Sequence, residues 1–169
     1  MQAHIPQDLS WSQGNFRIST DKSLLQVPRI HAFLSEKAFW SPGVPRNIVE
    51  QAMANSLCFG VYDESKPGRV QVGYARLVTD YTTFAWLCDV YIEEEYRGKG
   101  LSKWLMNCVM SHPQLKNFRR ICLVTRDAHE LYKKYGFKVT DTPQNWMEIR
   151  DNDVYKKMQL ERSRVPLKT

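Results

Sequence analysis

A chain of 169 residues has the length of one domain, at about 150 residues each, and its 43% hydrophobic residues suffice for a core without disulfide staples. The balance of 24 Lys and Arg against 18 Asp and Glu, a formal charge of +6, favours anionic partners such as nucleotides or CoA-like phosphates. No apolar run approaches the roughly 18 residues of a membrane helix and residues 1–10 lack a basic, apolar leader, so the chain reads as soluble and cytoplasmic, with no membrane partner.

Taken in order, residues 15–19 alternate through Phe16 and Ile18 and predict a first strand after a polar leader. Pro28 can stand in the first turn of a helix whose apolar face is Ile30, Phe33, Leu34 and Ala38, ended by Ser41-Pro42-Gly43. Pro45 opens a second helix with Ile48, Val49, Ala52 and Met53. Residues 56–62, 70–78 and 83–92 are strand candidates joined by short loops, hence an antiparallel meander. A polar run over 93–100 then leads into a helix bearing Leu101, Trp104, Leu105, Cys108 and Val109, stopped at His112-Pro113. Residues 121–125 predict a short apolar strand, and 127–135 a helix capped by Thr125 or Asp127. Gly136-Phe137 leads into a further strand, and 145–150 closes the sheet. The basic tail, 152–169, reads as peripheral to a core over about 15–150. The expected fold is α+β, one domain over 1–169, with a mixed, mostly antiparallel central sheet flanked by helices on both faces.

Cys58, Cys88, Cys108 and Cys122 form no Cys-x-x-Cys pair and have apolar neighbours, so they read as reduced, packed thiols, and no metal site is expected. The informative stretch is Arg97-Gly98-Lys99-Gly100-Leu101-Ser102. A strand turning through glycines into a helix leaves unpaired N–H groups converging where the helix dipole favours an anion. Gly98 and Gly100 permit positive φ or a close approach, and Arg97, Lys99 and Lys103 add charge. A P-loop is absent, and a dinucleotide fingerprint fails because Lys103 stands where its third glycine belongs.

The stretch resembles the Arg/Gln-x-x-Gly-x-Gly/Ala signature of the GNAT superfamily of acetyl-CoA-dependent N-acetyltransferases, with Ser102 in place of the last small residue. Ala128-His129-Glu130-Leu131-Tyr132, continuing to Gly136-Phe137, is similar to a second element of that family, its fourth helix. The resemblance, covering roughly 15–150, implies acetyl-CoA as co-substrate. Its pyrophosphate would meet the N–H groups of Gly98, Lys99, Gly100, Leu101 and Ser102, and its pantetheine arm would lie along Cys88, Val90 and Ile92 like an added strand. It implies a bulge that aims an N–H at the thioester carbonyl, and Tyr132 as the acid that protonates the CoA thiolate. Tyr135, one turn on, is read as core. Thr125 stands where an asparagine often contacts the cofactor arm. The attacking amine must shed a proton; Asp89 is the favoured acceptor, with Glu93 beside it and Asp80 as an outsider, while His129 reads as a helix-surface histidine. Trp40, Tyr81 and Phe84 are candidate walls of the substrate pocket. The expected function is transfer of acetyl to a primary amine in a ternary complex. The modest length points to a small molecule, with a protein lysine or a non-catalytic acyl-CoA-binding module as alternatives. Homodimers are common among such proteins. Lys116, Arg119 and Arg120 are scattered, so nucleic acid is not an expected partner.

Overall fold

The sheet forms because three runs rich in Val, Leu, Tyr and Phe can be buried on both sides at once. In the computed structural model, which describes residues 8–164, the central strands are β3 (Leu57–Asp63), β4 (Val70–Thr79) and β5 (Phe84–Ile92). They join β1 (Ser10–Gln13), β2 (Phe16–Ser19) and β6 (Arg120–Cys122) in the order β1-β2-β3-β4-β5-β6. Every pairing is antiparallel except β5 with β6. Between β2 and β3 lie α1 (Val27–Ala32) and α2 (Arg46–Ala54); α3 (Leu101–Met110) joins β5 to β6; α4 (His129–Lys133) and α5 (Val154–Arg164) follow.

Alternation along β3 distributes two cores. Leu57, Phe59 and Val61 pack with Leu105, Met106 and Val109 of α3, whereas Cys58 on the opposite face joins Ile30, Phe33, Leu34, Val49 and Met53 of the α1–α2 side. Helices therefore flank both faces, and the fold is α+β, as the sequence predicts. No described helix is long and apolar enough to cross a membrane.

Several local expectations are corrected. Residues 10–13, read as a polar leader, form β1, because Gly14 at φ +56 turns the chain back and an edge strand needs only backbone pairing and one good contact; Trp11 stacks on Phe59 at 6.1 Å. The first helix widens into a π turn over Phe33–Lys37, where the Ala38 N–H donates to the Phe33 carbonyl at 3.0 Å. The sixth strand ends at Cys122, three residues short of the predicted limit. Neither the segment after Phe137 nor 145–150 joins the sheet: Met147 and Ile149 are 95% and 106% exposed, and Trp146 meets Trp86 at 6.2 Å between ring centroids. Alternation marks a segment able to pair; it does not supply the partner edge. The tail is helical as α5, with Tyr155 packed on the α1–α2 core and Gln159 donating to the Gly43 carbonyl at 3.0 Å.

Candidate active site

Two irregularities in β5 create the site. In the β4–β5 register Tyr74 faces Tyr91 and Arg76 faces Cys88, so Ala75 alone opposes Asp89 and Val90, a β-bulge. Asp89 sits at φ +54, in the left-handed region that L side chains rarely adopt. On its other edge β5 pairs with β6 only as far as Trp86 with Cys122. From Leu87 to Ile92 that edge is unpaired among the described residues, leaving a slot in which an extended molecule can add as a strand. Cys88, Val90 and Ile92 all lie along it.

At the end of β5 the chain makes a 3₁₀ turn over Glu94–Tyr96 and enters α3 through Gly98 at φ +75 and Gly100 at φ +79. A Cβ at either glycine would meet nothing within 4 Å, so conformation, not crowding, requires glycine there, and the space in front is open. The N–H groups from Gly98 to Lys103, including Leu101 and Ser102, have no acceptor among the described residues. Arg97, Lys99 and Lys103 are exposed around these N–H groups, as the sequence suggests. Arg97 Nε donates to the Ile92 carbonyl at 3.2 Å, fastening the loop to β5, and Lys99 Nζ lies over the Tyr96 ring at 4.7 Å. Converging backbone N–H groups with cations around them can hold an anion.

Tyr132 is 9% exposed, with its ring edge-on to Phe137 at 5.9 Å. Burial pushes its phenol up to about 12, and its hydroxyl has no protein partner among the described residues. It lines a cavity of 540 Å³ between β6, α4 and the segment after it, shared with Trp86, Thr125, Phe137 and Trp146. Thr125 Oγ accepts from the Ala128 N–H at 3.0 Å in the turn before α4, but the helix starts at His129 with Ala128 as its cap residue, so neither Thr125 nor Asp127 caps it as expected. Tyr135, read as core, packs half-buried against the α3-side core and also donates to the Lys103 carbonyl at 2.7 Å, tying the segment after α4 to α3.

On the α1–α2 side, Asp89 accepts from Arg76 Nε at 2.7 Å and from the Trp40 indole at 3.2 Å. Arg76 also donates to Ser56 Oγ at 3.1 Å. Phe39, perpendicular to Trp40, carries the Arg126 guanidinium on its face at 3.8 Å, so the α1–α2 loop reaches the segment that follows β6. Of the three aromatics read as pocket walls, Trp40 touches the bulge residue. Phe84 lies five residues before Asp89 on β5, about 16 Å along the strand, and Tyr81, at φ +60 in the preceding turn, packs on the α3-side core. Asp80 is consumed by that turn: its carboxylate accepts from the Thr82, Thr83 and Phe84 N–H groups and the Thr83 hydroxyl, which hold it well below the ordinary range. Glu93 pairs with Lys37 at 2.9 Å. Arg76 and Arg126 were missed from sequence; for Arg76 the signal was a lone charge inside an otherwise buried apolar strand.

The comparisons with known proteins agree with this geometry. Residues 54–139 match the model of the acetyltransferase (GNAT) domain. The Gibberella zeae protein FG08082, assigned as an acetyltransferase, is 32% identical over 152 residues, 80% of this chain and 86% of that protein. The crystal structure of a GNAT-family protein from Xanthomonas campestris pv. campestris superposes with a TM-score of 0.78 at 44% identity, covering 83% of this chain and 96% of that one. A GNAT acetyltransferase from Elizabethkingia anophelis, solved with acetyl-CoA bound, shares the fold at a TM-score of 0.55 and 17% identity, over 83% and 91% of the two chains. The bulged fifth strand, the glycine-lined entry to α3 and these matches together place the chain in the GNAT acetyltransferase family.

Proposed function

We propose that this protein transfers the acetyl group of acetyl-CoA to a primary amine of a small molecule, by direct attack in a ternary complex. The observation that carries the reading is the bulge at Asp89 and Val90, beside an unpaired stretch of β5 that runs into a loop of unpartnered N–H groups. An extended thioester laid along this stretch would have its phosphates at Gly98–Lys103 and its carbonyl at the bulge. An N–H turned out of the ladder there would stabilise the oxyanion formed when the amine nitrogen attacks, before the C–S bond breaks. Tyr132 would donate to the departing sulfur. Its burial keeps the phenol protonated at neutral pH, and the proton it gives is restored from solvent as the nitrogen sheds its own.

Support for a small acceptor comes from the cover on the opposite face. Trp40 donates its indole N–H to Asp89 at 3.2 Å and Tyr155 lines the small void beside it, so aromatic rings cover the bulge on that face. The test is calorimetric titration with acetyl-CoA, followed by thiol-release assays over a panel of amines. Stoichiometric binding that is weakened in Gly100→Trp, with turnover on a small amine, supports the reading. A folded protein that binds no acetyl-CoA overturns it, and one that binds but acetylates nothing reduces it to a binding module.

A further inference from the structure

We propose that Arg76 is a positioning residue for the transfer, holding Asp89 from β4 so that this carboxylate fixes the direction of the bulged peptide unit and its N–H instead of taking a proton from the amine. The inference rests on the acetyl-transfer reading above and adds a residue that the sequence does not bring out.

Asp89 is the bulged residue and has positive φ. That conformation turns the following peptide unit out of the ladder, and it persists in a residue with a Cβ only where the surroundings hold it. Here the hold is visible. Oδ2 accepts from Arg76 at 2.7 Å and Oδ1 from Trp40 at 3.2 Å, so each carboxylate oxygen already has a donor. Both partners of the ion pair are largely buried, at 17% and 11% side-chain exposure, and Arg76 is anchored in turn to Ser56 just before β3. The clamp therefore ties three neighbouring segments of the sheet to one peptide. A proton placed on Oδ2 would break the pair and leave a guanidinium buried without its counter-charge, which is a poor design for a base that must cycle at every turnover.

The environment is otherwise electrically quiet. The other titratable groups facing Asp89 are Cys58 on β3, Tyr74 on β4, Cys88 and Tyr91 on β5, and Tyr155 on α5. Burial pushes Cys88 up to about 12 and raises Cys58, Tyr74 and Tyr91 as well, so these four stay neutral across an ordinary assay range. Burial works against the charge on Arg76, but Asp89 and its other neighbours more than offset this and keep the guanidinium protonated.

The experiment compares the parent with Arg76→Met, Asp89→Asn, the double variant, and two milder changes, Arg76→Lys and Trp40→Phe. The probe is acetyl-CoA labelled with carbon-13 at the carbonyl. In the parent, the bound carbonyl signal should be displaced from its free position by the bulge N–H; in Arg76→Met and Asp89→Asn it should return towards the free value. Each single variant should lower kcat about tenfold or more with the acetyl-CoA Kd within about threefold, and the double should be no slower than the slower single. The acidic limb of the pH–rate profile should survive in Asp89→Asn. Loss of that limb would make Asp89 the base and overturn the proposal, as would multiplicative effects or a carbonyl signal indifferent to Arg76. If Arg76→Met does not fold, Arg76→Lys and Trp40→Phe carry the same reading, with intermediate shifts of the signal expected and unchanged ones refuting it. Failure of the acetyl-transfer reading looks different: the parent itself would show no bound carbonyl signal or no turnover.

Discussion

Replacing Tyr132 by Phe removes one hydroxyl and leaves the ring that packs edge-on against Phe137. The hydroxyl has no protein partner among the described residues, so no donor or acceptor is stranded and the thermal midpoint should scarcely move. Burial to 9% exposure lifts the phenol from 10 to about 12, and two units correspond to about 3 kcal/mol in favour of the protonated form. A general acid so placed is worth about 100- to 10,000-fold, or roughly 3–5 kcal/mol of barrier. The assay is thiol release at saturating acetyl-CoA between about pH 7 and 10.5, with CoA affinity measured in parallel. Tyr132→Phe should lose kcat by at least about 100-fold while binding CoA normally. The parent rate should hold to about pH 10, because the acid does not ionise until near pH 12; an unshifted phenol would already make it fall. A variant within about threefold of the parent would show that Tyr132 is a packed aromatic and no more.

Three further outcomes follow from the same geometry. Gly100→Val places a side chain at φ +79, where a Cβ meets nothing within 4 Å, so the cost to folding should be limited to about 1–2 kcal/mol while acetyl-CoA affinity drops at least tenfold; unchanged affinity by calorimetry would remove the loop from the cofactor site. Burial raises the phenols of Tyr62, Tyr74, Tyr91 and Tyr132, so their contribution to stability is complete below about pH 10 and is lost as pH climbs through the raised values; melts followed by circular dichroism should fall steeply above pH 10, and a flat profile would contradict the burial. Ile149→Ser should change unfolding free energy by no more than about 0.5 kcal/mol, since Ile149 is fully exposed; a loss of about 2 kcal/mol in urea would show that this segment packs as a strand.

The legible part of the fold was whatever local periodicity or punctuation encodes. The meander of β3, β4 and β5 follows from apolar runs joined by short loops, and α3 from Gly100 ahead of an apolar face at Leu101, Leu105, Cys108 and Val109. Pro45 fixed the start of α2. Elements that draw their stability from distant contacts escaped. β1 depends on pairing with β2 and on Trp11 stacking over Phe59, and the alternating residues 145–150 found no edge to join.

The site divides in the same way. Sequence alone determined the glycine loop before α3, because φ above zero at Gly98 and Gly100 and the free N–H groups of a helix start are properties of the chain over a few residues. It also marked Tyr132 and Asp89 as chemically capable. Only the tertiary structure decided what they face: burial sets the Tyr132 phenol, and residues 13 and 49 positions away in the chain, Arg76 and Trp40, occupy the two oxygens of Asp89. The reason is range. Backbone conformation is governed by neighbours along the chain, whereas desolvation and charge pairing depend on whatever the folded sheet brings within a few ångströms.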